Sequence, residues 1–206
     1  NSDIDYLIIF NTSGGTTNKP QTYLNQIKQF AEKYYSSSEI RQSHPTVVLE
    51  LNHIKFDLVP ATYSPGYPWA TLPYQIPSPA SDWNDWMPTD PSGFNQKLTS
   101  ANVAHSYEIK PLVRLIKYWN ALNGKCFTSF SLENYIVDHS FLNLSSIKAF
   151  FYNFWDNFSC GYGSPQYIVD RVQRAKEHVS KTRLYEQQGF DGLAENEIKK
   201  LLTPIE

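Results

Sequence analysis

The sequence is poor in the features that mark several common classes of protein. It has two cysteines in 206 residues, which is too few for a disulfide framework, so we expect Cys126 and Cys160 to be free thiols in a reducing compartment. No apolar run approaches the roughly 20 residues that a helix needs to cross a bilayer, and no signal peptide is visible. The sequence therefore predicts a cytoplasmic protein with no membrane partner.

An excess of charge of one sign is also missing. The 18 basic and 20 acidic residues give a formal net charge of -2, which argues against a protein dedicated to binding duplex nucleic acid. The five histidines follow no metal-ligand spacing and neither cysteine belongs to a C-x-x-C pair, so we expect no zinc site. No G-x-S-x-G or Ser/His/Asp signature indicates a serine hydrolase. Small anionic substrates are compatible with this charge balance.

A phosphate-binding loop of the P-loop kind is not indicated either. Gly14-Gly15 lies in a polar segment but lacks the downstream Lys-Ser/Thr of such loops, so we interpret it as a connector. A helix is predicted to follow, with Pro20 near its first turn. Its apolar stripe is formed by Leu24, Ile27, Ala31 and Tyr34, with Phe30.

The first ten residues predict a β-strand that carries two acids. Apolar residues alternate with Asp3 and Asp5, so the period of two places both carboxylates on one face. Carboxylates held that close repel each other unless a cation lies between them, which favours a divalent metal. The alternative interpretation is a solvated strand end with two surface acids.

Residues 46–60 predict a β-hairpin that turns at Asn52-His53. A two-residue turn places Asp57 on the face opposite an apolar one. A slip of one residue would bury the charged residues of the hairpin together, so the register is well specified. The predicted pairs are Leu51/Ile54, Glu50/Lys55, Leu49/Phe56, Val48/Asp57 and Val47/Leu58. A lone acid among apolar neighbours needs a partner, and a metal held by Asp3 and Asp5 is the candidate.

Four segments resemble a known family. They are Ser-Asp-Ile-Asp-Tyr-Leu-Ile at 2–8, Ile-Lys-Phe-Asp-Leu-Val-Pro-Ala at 54–61, Leu-Val-Arg-Leu-Ile-Lys-Tyr-Trp-Asn at 112–120 and Thr-Ser-Phe-Ser-Leu-Glu at 128–133. Together they resemble the cGAS/DncV-like nucleotidyltransferases, the bacterial cyclic-oligonucleotide synthases of the polymerase-β superfamily. The resemblance runs from residue 2 to about residue 202. It implies an α+β fold, with a catalytic sheet in residues 1–100 and a helical lobe in residues 101–206 that closes over the nucleotide.

The resemblance also implies a set of site residues. Two Mg²⁺ or Mn²⁺ ions would be held by the catalytic acids Asp3, Asp5 and Asp57, and Ser2 would contact the nucleotide. Lys117 and Ser129 would contact the triphosphate, and Phe130 would stack on the donor base. Two other interpretations stay open: Lys117 lies with Lys110 and Arg114 on one flank of a helix, which is typical of a solvated face; Ser129 or Ser131 is a helix N-cap, with Phe130 in the core.

The implied activity is the transfer of nucleotides between nucleoside triphosphates to give a cyclic di- or trinucleotide, a second messenger in antiphage defence. The resemblance further implies a monomer and a protein activator as a partner. One alternative is a transferase that nucleotidylates tRNA, a small molecule or a protein. Another is a non-catalytic nucleotide-sensing module.

One departure from the family pattern concerns the donor site. The family has a Gly-Ser pair on a turn shortly before the D-x-D strand, and this sequence begins at Asn1 without that pair and without an initiator Met. We therefore expect residues upstream of Asn1 in the natural protein to supply the turn.

The remaining segments divide by composition. Residues 61–91 are too rich in proline for regular structure, and their tryptophans predict a segment pinned to the body, with stacking on a base as the alternative. The second half predicts helices, with apolar stripes at Ile109, Leu112, Val113, Ile116, Trp119 and Leu122, and at Ile147, Phe150, Phe151, Phe154, Trp155 and Phe158. A long helix follows Ser164-Pro165 and ends near Gly189, and the last one covers residues 193–202.

Overall fold

The computed structural model describes residues 2–12 and 17–202, and at Ser2 and Asp3 it describes the backbone alone. The predicted connector at Gly14-Gly15 lies outside the described residues. The chain divides into two compact units, Asn1–Ser92 and Gly93–Glu206. The first combines a sheet with a helix and the second is helical, so the predicted α+β class is confirmed.

The first unit contains a six-stranded sheet and one long helix. Its elements are β1 (Ser2–Phe10), α1 (Pro20–Tyr34), β2 (Glu39–Ser43), β3 (Thr46–Leu51), β4 (Ile54–Tyr63), β5 (Tyr74–Pro77) and β6 (Trp86–Thr89). The order β2-β3-β4-β5-β6 is antiparallel throughout, and β1 pairs with β4 in parallel. Side chains at paired positions of neighbouring strands lie on the same face of a sheet, so the register of β1 with β4 decides which of their residues lie side by side.

The predicted β3–β4 hairpin is confirmed in register. Its five cross-strand pairs run from Leu51↔Ile54 to Val47↔Leu58, and they include Val48↔Asp57. Asn52 has a φ of 53°, a left-handed conformation that asparagine adopts more readily than most residues, which fits it for the turn. The alternation of polar and apolar residues therefore fixed which face carries Asp57.

Helix α1 packs on the sheet face that points away from Asp57. Leu24, Ile27 and Ala31 are buried, as predicted. The prediction was wrong for Phe30 and Tyr34, which are 55% and 61% exposed. The inner side of α1 forms a small core with Val47, supported by Ile8, Phe10, Ile40 and Leu58. That contact is narrower than the apolar stripe of the helix, so the two outer aromatic residues remain outside it.

The proline-rich segment contains regular structure that the sequence analysis did not predict. Strands β5 and β6 both lie within it. Pro88 is tolerated because β6 ends the strand order, and an edge strand can lack an N–H without losing a ladder bond. Trp86 is pinned to the body as predicted, since its Nε1 donates to the Asn18 carbonyl at 2.9 Å. Trp69, in contrast, is 91% exposed.

The second unit contains six helices within the described residues. They are α2 (Pro91–Ala104), α3 (Ile109–Leu122), α4 (Ser129–Asp138), α5 (Ile147–Asn157), α6 (Gln166–Gln187) and α7 (Asp191–Leu201). The predicted lobe boundary at residues 100 and 101 falls inside α2. No helix in 2–12 or 17–202 is both long and apolar enough to cross a bilayer.

The core of the second unit combines a cluster of aromatic rings with aliphatic side chains. The α5 stripe is buried as predicted from Phe150 to Phe158, and Trp155 packs edge-on against Trp119 of α3 at a centroid distance of 4.7 Å. Helix α5 begins after Ser146, whose hydroxyl accepts a hydrogen bond from the Ala149 N–H at 3.3 Å. Contacts between large rings on adjacent helices thus form part of the packing of this unit.

A buried acid between α6 and α7 gives this unit a predictable dependence on pH. Glu197 accepts hydrogen bonds from Lys200 Nζ at 2.6 Å and from His178 Nδ1 at 2.7 Å. Lys200 first, and then His178, lowers the pKa of Glu197 by favouring the carboxylate. Because the pKa of the folded state lies below that of the unfolded state, the stabilisation is present above the unfolded pKa and disappears as pH falls through the folded pKa.

We therefore expect Glu197→Gln to lower the melting temperature at neutral pH, and the gap from wild type to narrow as the pH falls from roughly 6 to 3. Thermal melts across that range provide the measurement. Glu195→Gln is the matched control, since Glu195 pairs with Lys199 on the exposed surface of the same helix, where an ion pair contributes little. A gap that stays constant with pH would contradict the role given to the Glu197 carboxylate.

Candidate active site

The β1–β4 pairing brings two of the predicted acids side by side. Asp5 of β1 is in direct register with Asp57 of β4, although the two residues lie far apart in sequence. Adjacent strands are about 4.8 Å apart, and side chains at paired positions of a ladder lie on the same face. The sequence predicted the face of each acid within its own strand, and the pairing of the strands adds their proximity.

The environment of Asp57 fits a bound cation. Its side chain is 21% exposed, but Oδ1 is buried and, among the described residues, has no hydrogen-bond partner. Lys55 Nζ lies 3.4 Å from this oxygen, an ion-pair distance that does not meet hydrogen-bond geometry. A buried carboxylate oxygen normally has a donor or a metal ion beside it. Asp57 Oδ1, which has an ion-pair neighbour but no hydrogen bond, lies beside a second carboxylate, and two such carboxylates match the ligands that Mg²⁺ prefers.

The other predicted residues of this strand are described less fully. Asp3 pairs with Lys55 in the backbone register, and the side-chain roles predicted for Asp3 and Ser2 lie outside what the structure describes. Among the described side chains, no group of three His, Cys, Asp or Glu residues is close enough to hold a metal. The three-acid metal site therefore stays a prediction, in which Asp5 and Asp57 are the two members with described side chains.

The second unit brings together the remaining predicted residues around the start of α4. Lys117 of α3 is 40% exposed at its side chain, and its Nζ lies 2.6 Å from Glu133 Oε1 of α4. Lys110 and Arg114, the other two cations on that flank, are exposed, and Lys110 Nζ donates to the Thr99 hydroxyl at 3.3 Å. Lys117 thus differs from both, because a carboxylate holds its ammonium group.

Ser129 is the first residue of α4, and the helix cap lies one residue earlier than the alternative interpretation placed it. The Thr128 hydroxyl accepts from the Ser131 N–H at 3.1 Å, so neither Ser129 nor Ser131 is the N-cap. The N–H groups of the first helical turn have no partner within the helix, and the helix dipole makes this end favourable for an anion. The end that carries Ser129 is therefore suited to a phosphate.

Phe130 lies on the surface and not in the core, contrary to the alternative interpretation. It is 61% exposed, and its ring meets Phe94 of α2 edge-on at a centroid distance of 5.0 Å. An exposed ring with one supported edge can present its face to a planar ligand. The predicted stacking role is compatible with this position and remains untested.

Comparison with known proteins identifies the family. Residues 1–102 match the model of the Second Messenger Oligonucleotide or Dinucleotide Synthetase domain. The chain is also similar to a probable cyclic nucleotide synthase of Bacillus cereus (strain VD146), at 31% identity over 107 residues. The chain belongs to the cGAS/DncV-like nucleotidyltransferases. The match to the Bacillus cereus protein covers 51% of this chain and 31% of that protein, so it spans about a third of the length of that relative.

Solved structures agree with this family at the level of the fold. CdnC of Escherichia coli MS115-1 with ATP matches with a TM-score of 0.71 at 14% identity, over 97% of this chain and 77% of that chain. Escherichia coli DncV bound to 3'-deoxy GTP matches with a TM-score of 0.68 at 11% identity, over 97% and 62% of the two chains. CdnC has also been solved in complex with HORMA-deltaN. The predicted polymerase-β-like fold with a helical lobe is thereby confirmed.

Three residues that contact predicted site residues within their own unit had no role in the sequence analysis. Lys55 was visible as a polar member of the hairpin, on the same face as Asp57, and that spacing was the available signal. Glu133 closed one of the motifs of the family but had no assigned partner. Phe94 carried no signal, because its contact with Phe130 joins two helices whose packing the sequence does not show.

Proposed function

We propose that this chain is a metal-dependent nucleotidyltransferase that uses nucleoside triphosphates and makes a cyclic di- or trinucleotide. The observation that supports it most directly is the in-register pair of Asp5 and Asp57, with the buried Asp57 Oδ1 left without a hydrogen-bond partner among the described residues. Family membership supports the substrate class and the type of reaction. Antiphage defence is the setting that we propose for the product as a second messenger.

The proposed roles divide between the two units. Asp3, Asp5 and Asp57 hold the divalent ions, Mg²⁺ or Mn²⁺, with Asp57 on the side of the acceptor hydroxyl. The chemistry supplied by such ions is Lewis acidity, which lowers the pKa of the acceptor hydroxyl and neutralises the pyrophosphate leaving group. Lys117 and the N-terminal end of α4 at Ser129 bind the triphosphate. Phe130 offers its exposed ring to the donor base.

Turnover assays with labelled nucleotides test this function. The chain is incubated with ATP, GTP, CTP and UTP, singly and mixed, with Mg²⁺ or Mn²⁺, and with EDTA as the control. A labelled product that resists phosphatase supports cyclisation. Label transferred to added tRNA or protein would instead support a modifying transferase, and nucleotide binding without turnover would support a sensor; either result would overturn the proposal.

The Lys117 ammonium group should make a measurable contribution to donor binding. A lost charge-assisted contact is worth about 1.5 to 3 kcal/mol, so we expect Lys117→Ala to weaken triphosphate binding roughly 10- to 100-fold with the fold intact. Nucleotide titration and a thermal melt measure the two properties. Lys110→Ala, on the same helix flank, is the control and should bind as the wild type does. Unchanged affinity in Lys117→Ala would remove this residue from the site.

A further inference from the structure

The ion pair between Lys117 and Glu133 is asymmetric in its exposure. The Glu133 side chain is 18% exposed and that of Lys117 is 40% exposed, and their charged atoms are 2.6 Å apart. Glu133 is therefore the more enclosed partner, held on α4 one helical turn after Ser129. An enclosed carboxylate that meets a more exposed ammonium group fixes the direction in which the lysine points.

Such a contact lowers the entropy that a phosphate-binding lysine loses when it binds. A lysine side chain has much rotational freedom to lose when its end is immobilised, and a lysine that is already held loses less of it on binding. The ammonium group has three N–H donors and no acceptor, so one donor can stay on Glu133 while the others remain available to an anion. The pair therefore leaves Lys117 able to bind phosphate.

We infer that Glu133 is a positioning residue, which holds the Lys117 ammonium group in place to bind the triphosphate of the nucleotide donor. This inference rests on the proposed function, because it needs a triphosphate to bind at Lys117. The carboxylate is not expected to touch the nucleotide, since two anions repel each other. What matters is an acceptor oxygen at this distance, which is a requirement that an uncharged amide also meets.

The experiment measures nucleotide affinity in a set of variants, using whichever of ATP, GTP, CTP and UTP the wild-type chain binds most tightly. We expect Glu133→Ala to weaken binding about fivefold or more, and Glu133→Gln, which keeps an acceptor oxygen, to restore most of it. In the Lys117→Ala background, Glu133→Ala should have no further effect, because Glu133 acts through Lys117. A residue that serves only the fold would not show this coupling.

Two further variants separate positioning from stability. Asp138→Ala is the matched control, since it breaks the ion pair that α4 makes with Lys97 and should leave nucleotide affinity unchanged. If Glu133→Ala fails to fold, Glu133→Asp replaces it: the charge is kept but the carboxylate is withdrawn by one methylene group, so the same loss of affinity is expected. Thermal melts of each variant accompany the titrations.

The outcomes distinguish this inference from the proposed function. If Lys117→Ala weakens binding and Glu133→Ala does not, the positioning role is overturned and the proposed function stands. Equal losses from Glu133→Ala in the presence and in the absence of Lys117 would also overturn it. If the wild-type chain binds no nucleoside triphosphate, the proposed function and this inference fail together.

Discussion

Asp57→Asn should abolish nucleotidyl transfer while largely sparing nucleotide binding. The substitution keeps the shape of the side chain and removes the negative charge, so in the proposed site the acceptor-side ion would lose its ligand. Asp3 and Asp5 would still hold the ion that binds the triphosphate. Because metal-ion catalysis supplies several kcal/mol of transition-state stabilisation, we expect the rate to fall by about 10³-fold or more. Single-turnover rates and nucleotide titration measure the two properties separately.

Glu39→Gln provides the control for this prediction. Its register through β2, β3 and β4 places Glu39 on the same sheet face as Asp57, but at the far edge of the sheet. Loss of a carboxylate there should leave the transfer rate unchanged. Crystals soaked with Mn²⁺ and nucleotide give an independent check: metal density away from Asp3, Asp5 and Asp57 would refute the assignment.

Phe154→Ala should strongly destabilise the helical unit. Phe154 is fully buried, and its ring packs against Phe158 at a centroid distance of 4.8 Å and against Trp155 at 5.1 Å. Truncation of a core phenylalanine leaves a cavity and costs about 3 to 5 kcal/mol. That is a large part of the roughly 5 to 15 kcal/mol by which folded domains are stable. Denaturant unfolding followed by tryptophan fluorescence measures the change.

The matched control is an aromatic residue of the same unit that packs against nothing. Tyr162 is fully exposed, so Tyr162→Ala should change the free energy of unfolding by less than about 0.5 kcal/mol. If Phe154→Ala lowered stability by no more than Tyr162→Ala does, the aromatic cluster would not be the core of this unit.

Predictions of local structure from the sequence were most accurate in segments where charged and apolar residues alternate. In the β3–β4 hairpin, a slip of one residue would have buried Glu50, Lys55 and Asp57, so the pattern together with the two-residue turn predicted the pairing. The α5 stripe was equally clear, because its large apolar residues recur at helical spacing. In both cases the burial of one face is a local property that a short window of sequence contains.

The pairing of strands that lie far apart in sequence could not be predicted in this way. Nothing in residues 1–10 shows that β1 lies parallel to β4 with Asp5 opposite Asp57. That the acids meet was suggested only indirectly, by the lone acid in the hairpin and by the resemblance. Strands β5 and β6 were not predicted because prolines oppose strand formation in general. In β6, which ends the strand order, the position at a sheet edge removes that objection. Phe30 and Tyr34 of α1 were predicted as core because a stripe shows what is apolar, but not how far the partner surface extends.

The candidate site in the second unit was predicted in part. The family pattern singled out Lys117, Ser129 and Phe130, and the structure puts the first beside α4 and the other two at its start. The contact of Glu133 with Lys117 could be found only in the structure, because a contact between α3 and α4 depends on how the two helices pack. The cap at Thr128 was missed by one residue, since three neighbouring hydroxyl residues are equally able to cap a helix.

Local unfolding of β1 would disturb the proposed catalytic site, because β1 is attached to the sheet through one neighbouring strand. Strand β4 has partners along both edges, whereas β1 pairs with β4 alone among the described strands. A transient opening of that single ladder would separate Asp5 from Asp57 and leave the β3–β4 hairpin closed. In the proposed metal site, the fraction of molecules with both acids in place would therefore depend on the opening equilibrium of this one strand. A ligand that bridges the two acids would slow hydrogen exchange of the β1 amides.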